Sequence, residues 1–232
     1  MKYFVSSDIH GFFDEWQDAL NKIGFDIDNP DHKIIVCGDL FDRGKQAVKL
    51  YKFVKSLGNR FIYIRGNHED LIFDAFNDLK NNYGCAKSHH YLNGTIDTIS
   101  QFILENKLEE VLEFINNKSI DYYELNDFIF VHGWIPTIVN SSTINLDWRN
   151  ASKQDWKNAR WLNGIKMAHN GLYLDDKVII CGHMHTGFGH FNYHDEGENE
   201  FKNFDIYRDN GIIALDGCTA LSKKVNVLVL EV

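Results

Sequence analysis

Residues 38–44 read Gly38-Asp39-Leu40-Phe41-Asp42-Arg43-Gly44, a cluster of two carboxylates and one arginine bounded by glycines. Two related motifs flank it along the chain, Asp8-Ile9-His10-Gly11 and Gly66-Asn67-His68-Glu69. Each motif directly follows an apolar run that predicts a buried strand, at residues 2–6, 33–37 and 60–65. Metal-binding side chains at the ends of successive strands are what a preorganised site for two metal ions requires.

Helical spacing of apolar residues separates these strands and predicts helices over residues 13–23 and 47–57. The resulting βαβαβ order implies parallel strands joined by right-handed crossovers. In open α/β sheets, binding sites form at the carboxyl ends of the strands, where all three motifs fall. The first third of the chain therefore predicts an α/β fold with a site at one edge of its sheet.

The rest of the chain predicts a helical segment followed by a strand-rich one. Helices at residues 70–79, 96–105 and 107–115 form a helical cap over about 70–118, interrupted by a polar loop at 81–93. Strands are predicted at residues 122–125 and 128–132, and one helix near residues 153–162. The remaining predicted strands are 177–181, 188–193, 204–207, 211–215 and 225–231. We interpret residues 1–232 as one domain, as this length favours.

The composition limits the partners of the protein. Its formal net charge of −9 argues against duplex nucleic acid, although a local cationic site can still attract a phosphorylated substrate. No apolar run approaches the ~20 residues that cross a membrane, so no membrane partner is expected. The first candidate ligand is Asp8, which leaves no room for a leader of about 15–30 residues. The composition is therefore compatible with a phosphorylated protein, peptide or small phosphoester as the partner.

The four cysteines form no CxxC pair. Cys37 and Cys181 each end a β-branched run, a position typical of small core residues. Buried, reduced thiols are the favoured interpretation, and they are typical of a reducing compartment. We therefore expect a cytoplasmic location.

Seven candidate metal ligands each follow a predicted strand: Asp8, His10, Asp39, Asn67, His132, His183 and His185. Oxygen and nitrogen donors without thiolate suit Mn²⁺, Fe, Zn²⁺ or Ni²⁺ and argue against a sulfur-rich structural zinc site. Seven side chains exceed what one ion usually takes from a protein. They suit two divalent ions about 3.5–4 Å apart that share a carboxylate, with Mn²⁺ favoured.

These motifs, in this order, resemble those of the calcineurin-like metallophosphoesterases. Over nearly the whole chain the pattern is most similar to the phosphoprotein phosphatase branch, in particular the small bacterial and phage serine/threonine protein phosphatases. The resemblance implies a four-layer α/β/β/α sandwich with a dinuclear metal centre at one end. It also implies hydrolysis of phosphomonoesters by direct attack of metal-bound hydroxide.

The resemblance assigns the ligands to two ions. Asp8, His10 and Asp39 would hold the first ion. The second would be held by Asp39, Asn67, His132 and His183, with Asp39 bridging and Asn67 also facing the substrate.

The resemblance also assigns the catalytic roles. Arg43 would bind phosphate as a bidentate fork, His68 would protonate the leaving oxygen, and Asp42 would orient His68. A second phosphate-binding arginine is expected before His183. We favour Arg160 over Arg149 because of its spacing, and a surface charge on a helix is the alternative.

One departure from this pattern concerns the substrate. The motif Gly182-His183-Met184-His185 carries a second histidine that the protein-phosphatase branch usually lacks and that broader metallophosphoesterases use on the first ion. Four tryptophans also lie between the last two histidine motifs, and one of these rings could stack on a nucleobase. The second histidine and the tryptophans keep a dinucleoside polyphosphate hydrolase or phosphodiesterase open as the alternative. A metal-binding interaction module is the non-enzymatic alternative.

The favoured function is a phosphatase acting on phosphoserine or phosphothreonine. Two further histidines, His190 and His194, are predicted to flank a strand, with no spacing that suggests a shared role.

Overall fold

The computed structural model describes residues 1–138 and 143–232. Over these residues, the strands are β1 Lys2–Ser6, β2 His32–Cys37, β3 Phe61–Ile64, β4 Ser119–Ile120, β5 Tyr123–Leu125, β6 Phe128–Phe130, β7 Val178–Cys181, β8 Tyr207–Asp209, β9 Ile212–Ala214 and β10 Leu228–Glu231. The α-helices are α1 Phe13–Lys22, α2 Ala47–Ser56, α3 Asn67–Asn81, α4 Ser88–Leu92, α5 Thr95–Leu104, α6 Leu108–Lys118, α7 Lys153–Ala159, α8 Gly164–His169, α9 Thr186–His194 and α10 Thr219–Ser222.

The strands form two five-stranded sheets. The first has the order β10-β1-β2-β3-β4, and the second has the order β5-β6-β7-β9-β8. Strands β1, β2, β3 and β4 run parallel to one another, while β10 pairs antiparallel with β1. The predicted parallel βαβαβ unit is therefore confirmed, and its three carboxyl ends lie at the same edge of the first sheet.

Alternating side chains on β2 divide the core into layers. Ile34 and Val36 pack against the helices outside the first sheet, whereas Ile35 and Cys37 face the second sheet. This alternation is the two-residue period of a strand, and both faces are apolar because both are covered. The second sheet buries its other face, including Ile179, against helices α7 and α8. The predicted four-layer α/β/β/α sandwich is thereby confirmed.

The helical segment predicted over about 70–118 consists of α3, α4, α5 and α6. Phe102 of α5 packs edge-on against Phe41, with ring centroids 5.4 Å apart. Ile99, Val111 and Ile115 join the same buried cluster. The segment therefore forms part of the outer helical layer and packs directly on the loop that carries the 38–44 motif.

The strand predicted at residues 188–193 is wrong, because helix α9 occupies this segment. Its aromatic residues favour a strand by propensity alone, and tertiary packing overrides that preference. A Cβ on Gly189 would lie 2.7 Å from the Tyr207 ring, so the glycine lets the helix approach β8 closely. Helix α8 lies between the predicted helix near 153–162 and the predicted strand at 177–181, where the sequence predicted no element.

The four cysteines are free thiols. Cys37 and Cys181 are buried, as predicted, whereas Cys85 is exposed and Cys218 is half-buried. Within residues 1–138 and 143–232, no helix combines the length and apolarity that a bilayer crossing demands.

Candidate active site

Asp39 lies at the centre of the predicted metal site. His10 Nε2 is 3.7 Å from its Oδ2, and His132 Nε2 is 3.3 Å from its Oδ1. Asp8 approaches the same histidine, with Oδ1 3.9 Å from His10 Nε2. The loops after β1, β2 and β6 thus place two histidines on opposite oxygens of one carboxylate.

Two groups of donor atoms share Asp39, and within each group all atoms lie within 4.8 Å of one another. One group contains His10, Asp39 and His68, and the other contains Asp39, His132 and His183. One carboxylate common to two clusters is the geometry that a bridging ligand between two ions requires. The structure therefore brings together four of the predicted ligands, His10, Asp39, His132 and His183, from loops after strands of both sheets.

The hydrogen bonds of His132 indicate that a cation belongs here. Its Nδ1 lies 2.8 Å from the carbonyl of Cys37, which can only accept, so this nitrogen donates. A neutral ring then presents a lone pair at Nε2, 2.7 Å from Asn67 Oδ1 and close to Asp39. His183 Nδ1 converges on the same amide oxygen at 3.0 Å. A divalent ion beside His132 Nε2 and Asn67 Oδ1 would give both of these acceptors a partner.

Burial makes the carboxylates of the site difficult to ionise without compensating charge. Desolvation is the main cause and repulsion from a neighbouring carboxylate adds to it, Asp39 in the case of Asp8 and Glu69 in the case of Asp39. Together they raise the pKa of Asp8 to about 6 and that of Asp39 to about 7. Desolvation and nearby Asp8 raise the pKa of Asp216 to about 8. Divalent cations would supply the missing positive charge and lower these pKa values. The donor set of oxygens and imidazoles therefore fits two divalent ions.

The imidazoles of the site are available as neutral ligands. Burial lowers the pKa of His183 to about 3 and holds the pKa of His10 well below its ordinary value. His10 turns its Nε2 towards Asp8 and Asp39. A neutral imidazole offers a lone pair on one ring nitrogen, which is the form in which histidine binds a divalent ion.

Glu69 holds two of the loops in register, a role that the sequence did not reveal. Its carboxylate accepts from the backbone N–H groups of Asp39 at 3.0 Å, Leu40 at 2.9 Å and Gly66 at 2.7 Å. Three donors on one buried carboxylate tie the loop after β2 to the start of α3. Asp39 is thereby positioned before any ion binds.

The backbone is strained at the functional residues. Asp8, His10, Asp39, Arg43 and His183 adopt left-handed conformations with φ of 52°, 52°, 55°, 74° and 65°. This region is unfavourable for residues with a Cβ, and such strain concentrates at functional sites. Each strained turn re-aims a side chain from the end of a strand towards the centre of the site.

Gly182 allows the two sheets to meet at the site. A Cβ at this position would lie 1.7 Å from Ser7 Oγ and 2.0 Å from Asp8 Oδ2. The following N–H, that of His183, donates to Asp8 Oδ2 at 3.0 Å. The motif after β7 therefore joins the loop after β1 by close backbone approach, which only glycine permits here.

His68 and Asp42 form a buried pair beside the metal ligands. His68 Nδ1 donates to Asp42 Oδ2 at 2.8 Å, and Thr95 of α5 donates to the same oxygen at 2.6 Å. The opposite nitrogen of His68 lies 3.3 Å from Arg43 Nη2 and 3.9 Å from Asp39 Oδ2. Asp42 thus fixes the ring so that Nε2 faces the reacting centre.

The charge on His68 is favoured by its neighbours. Burial opposes protonation, but Asp39 and Asp42 outweigh it and raise the pKa of His68 to about 9, while Arg43 acts in the opposite direction. Ions bound at Asp39 would neutralise that carboxylate and leave Asp42 as the main partner. The pair can therefore hold a proton at the site and release it.

The structure places Arg160 and Arg149 in ion pairs. Arg160 is buried, with Nη1 2.7 Å from Asp70 Oδ2 and Nη2 bonded to Asp121. Arg149 donates from Nε and Nη2 to Glu124 at 2.7 and 2.8 Å. Both guanidinium groups are already engaged by carboxylates, and the assignment of Arg160 to phosphate stays a prediction.

His185 belongs to neither of the two donor groups. Its ring stacks on Phe201 with centroids 5.4 Å apart and meets Phe204 edge-on at 5.9 Å. Its Nδ1 is buried without a hydrogen-bond partner among the described residues, and burial lowers its pKa. The ring is available as a neutral donor, and its role as a ligand stays a prediction.

Comparison with known proteins agrees with this geometry. The family model for calcineurin-like phosphoesterases matches residues 1–212. A symmetrical bis(5′-nucleosyl)-tetraphosphatase of Buchnera aphidicola subsp. Baizongia pistaciae is 34% identical over 79 residues, which are 34% of this chain and 27% of the relative. The same enzyme of Vibrio parahaemolyticus is 29% identical over 135 residues, 58% of this chain and 45% of the relative.

These matches span less than half of either relative's length. A solved structure assigned provisionally as a diadenosine tetraphosphatase aligns with a TM-score of 0.59 and 14% identity. That alignment covers 99% of this chain and 89% of the other, and it shows a shared fold. With two donor groups on a shared aspartate and a family match over residues 1–212, the chain belongs to the calcineurin-like phosphoesterases.

Proposed function

We propose that this chain hydrolyses dinucleoside polyphosphates with two divalent ions. The observation that carries the proposal is a groove of about 570 Å³ that adjoins the site through Arg43 and is lined in part by Gly11, Phe12, Lys45 and Lys223. The two curated relatives above are named for activity on bis(5′-nucleosyl) tetraphosphates, which supports the same substrate class. This preference replaces phosphoserine or phosphothreonine, which the sequence favoured.

The groove has the charge for a polyphosphate chain. Three cations, Arg43, Lys45 and Lys223, outnumber the two carboxylates on its wall, Asp14 and Glu15. Asp14 is further neutralised by an ion pair with Lys49, outside the groove lining. A local cationic surface attracts anions despite a negative net charge. Phosphate groups beyond the one being cleaved would therefore find cations along the groove.

An aromatic side chain lies on the same wall. Lys223 Nζ sits 4.1 Å from the ring centroid of Phe12, so one face of that ring carries a cation. A nucleobase stacking near such a pair would gain contact area that a simple phosphomonoester lacks. We assign the nucleoside end of the substrate to this part of the groove.

The residues divide the chemistry between them. The ions, when bound, supply positive charge to the phosphate and activate the attacking water. Arg43 provides a planar fork for two phosphate oxygens, which fixes the orientation that in-line displacement needs. His68 delivers a proton from Nε2 to the leaving oxygen, and Asp42 and Thr95 hold its ring.

Phosphoserine or phosphothreonine is the second candidate. A serine alkoxide is a much poorer leaving group than a nucleotide phosphate, so it depends more on a proton donor. The buried His68–Asp42 pair at 2.8 Å is such a donor and favours this candidate. The pair serves both substrates, whereas the cationic groove adds binding energy only for the longer one.

A substrate panel tests the proposal. With Mn²⁺, we expect kcat/KM for diadenosine tetraphosphate to exceed that for a phosphoserine peptide, p-nitrophenyl phosphate and bis-p-nitrophenyl phosphate by at least ~10-fold, about 1.4 kcal/mol. The same preparation treated with chelator is the control. Faster turnover of the phosphopeptide would favour the second candidate, and no turnover of any substrate with two ions bound would contradict both.

A further inference from the structure

Helix α9 brings together two histidines that lie outside the dinuclear site. His190 and His194 are one turn apart on the helix, with ring centroids 6.1 Å apart. Glu196 follows the end of the helix. One donor atom from each of these three residues lies within 4.8 Å of the other two. Side chains four residues apart share one helix face, which is the spacing that a helical pair of metal ligands needs.

The hydrogen bonds of His190 leave one nitrogen directed at Glu196. Its ring is buried, and Nε2 lies 3.0 Å from the backbone carbonyl of Asp205. A carbonyl can only accept, so Nε2 carries the hydrogen and donates. Nδ1 faces Glu196 Oε2 at 2.5 Å. In a neutral ring these two atoms are both acceptors, and a divalent ion that binds both of them, after they move slightly apart, would remove the conflict.

Hydrogen bonds from neighbouring groups orient the ligand side chains, as they do in known metal sites. Metal-binding histidines usually donate their second nitrogen to a carbonyl or carboxylate, as His190 does to Asp205. Asn203 Nδ2 donates to Glu196 Oε2 at 3.1 Å and orients that carboxylate. Asp209 Oδ2 lies 3.8 Å from His194 Nε2, close enough to complete the set after a small movement. The three ligands therefore come with their own supporting contacts.

We propose that His190, His194 and Glu196 form a third metal site, selective for Zn²⁺ or a similar nitrogen-preferring divalent ion. Two imidazoles and one carboxylate form a donor set that zinc takes in proteins, and they favour zinc over Mn²⁺ or Mg²⁺. None of these residues belongs to the dinuclear site. His194 and Glu196 are partly open to solvent, so an ion can enter without unfolding the helix.

Such an ion would fasten helix α9 to the loop that follows it. The helix begins directly after His185, so its N-terminal end adjoins the His183 motif of the active site. The ion would join its last turn to Glu196 in the following loop, and an ion that binds only the folded chain stabilises it. The site is thus a structural support on the helix that directly follows the motif with two predicted ligands of the dinuclear centre, His183 and His185.

Zinc stoichiometry tests this site. Tag-free protein, saturated with Zn²⁺ by equilibrium dialysis, would be analysed by elemental mass spectrometry as wild type, His194→Gln, Glu196→Gln and His89→Gln. His89 is an exposed histidine outside the cluster and serves as the matched control. We expect wild type and His89→Gln to bind one equivalent more than the other two variants.

A second measurement separates loss of the site from loss of the fold. All four proteins should keep the same circular dichroism spectrum and the same Mn²⁺-dependent turnover, while the rise in melting temperature on adding Zn²⁺ should be smaller in His194→Gln and Glu196→Gln. Equal zinc content in all four proteins would overturn the proposal. Loss of zinc in only one of the two cluster variants would overturn the three-residue site.

Discussion

His68→Asn is expected to lower turnover of phosphoesters with poor leaving groups by about 10²–10⁴-fold, the usual contribution of a general acid. Esters with good leaving groups, such as p-nitrophenyl phosphate, should lose much less. The reason is geometric: Asp42 holds Nδ1, so Nε2 is the ring atom that lies beside Arg43 and Asp39 and can donate a proton once the imidazole is charged. Steady-state kinetics over a series of aryl phosphates of rising leaving-group pKa measures the effect as a steeper dependence on that pKa.

Metal content is the control for this variant. His68 also lies in one of the two donor groups, so its loss could act by removing an ion. The proton-donor role requires His68→Asn to retain the metal content of wild type. Asp42→Asn should change the leaving-group dependence in the same direction but less, because it leaves the imidazole in place. Equal losses for all leaving groups, or loss of an ion, would exclude His68 as the general acid.

Asp39→Asn is expected to lower turnover of every substrate by more than about 10³-fold. This loss exceeds the one that usually follows removal of a single hydrogen-bond donor from a preorganised active site. Both donor groups contain this carboxylate, so one substitution weakens the binding of two ions. Elemental analysis should show fewer than two ions per chain. Asp28→Asn, at an exposed carboxylate in the loop before β2, is the matched control and should behave as wild type.

Asp39→Asn should not destabilise the metal-free chain. Burial raises the pKa of Asp39 to about 7, so ionising this carboxyl near neutral pH works against folding in the absence of metal. A neutral amide of the same size avoids that cost and keeps an oxygen to accept from the His68 N–H, now 3.0 Å from Oδ1. We expect an unchanged or higher melting temperature without metal and a smaller rise when metal is added. A clear fall without metal would show that Asp39 is structural.

The three amino-terminal motifs could be read from the sequence because local signals agreed there. The runs before Asp8, Asp39 and Asn67 are apolar and β-branched, and they form the parallel strands β1, β2 and β3. Parallel strands have their carboxyl ends at one edge, so strand order alone brought these polar residues together. The meeting of His132 and His183 with Asp39 was not readable in this way. It follows from two sheets packing face to face, which the family resemblance supplied.

Contacts between residues far apart in the sequence could not be predicted from it. Thr95 donates to Asp42 across 53 residues, and no motif surrounds it. The ion pair of Arg160 with Asp70 joins residues 90 apart, so spacing along the chain could not show that a carboxylate already holds this arginine. Around His190 the failure was local: β-like composition hid a helix, and with it the i, i+4 histidine pair. The sequence was weakest where packing, and not propensity, decides the structure.

The most direct test of the central claim is a titration of metal-free protein with Mn²⁺ while the products of diadenosine tetraphosphate are measured. Because two donor groups share Asp39, we expect no turnover without metal. The rate of cleavage should rise as Mn²⁺ is added and reach a plateau at two ions per chain, and mononucleotide products should accumulate in proportion. Turnover by the metal-free chain, or two bound ions with no cleavage of any phosphoester, would contradict the account.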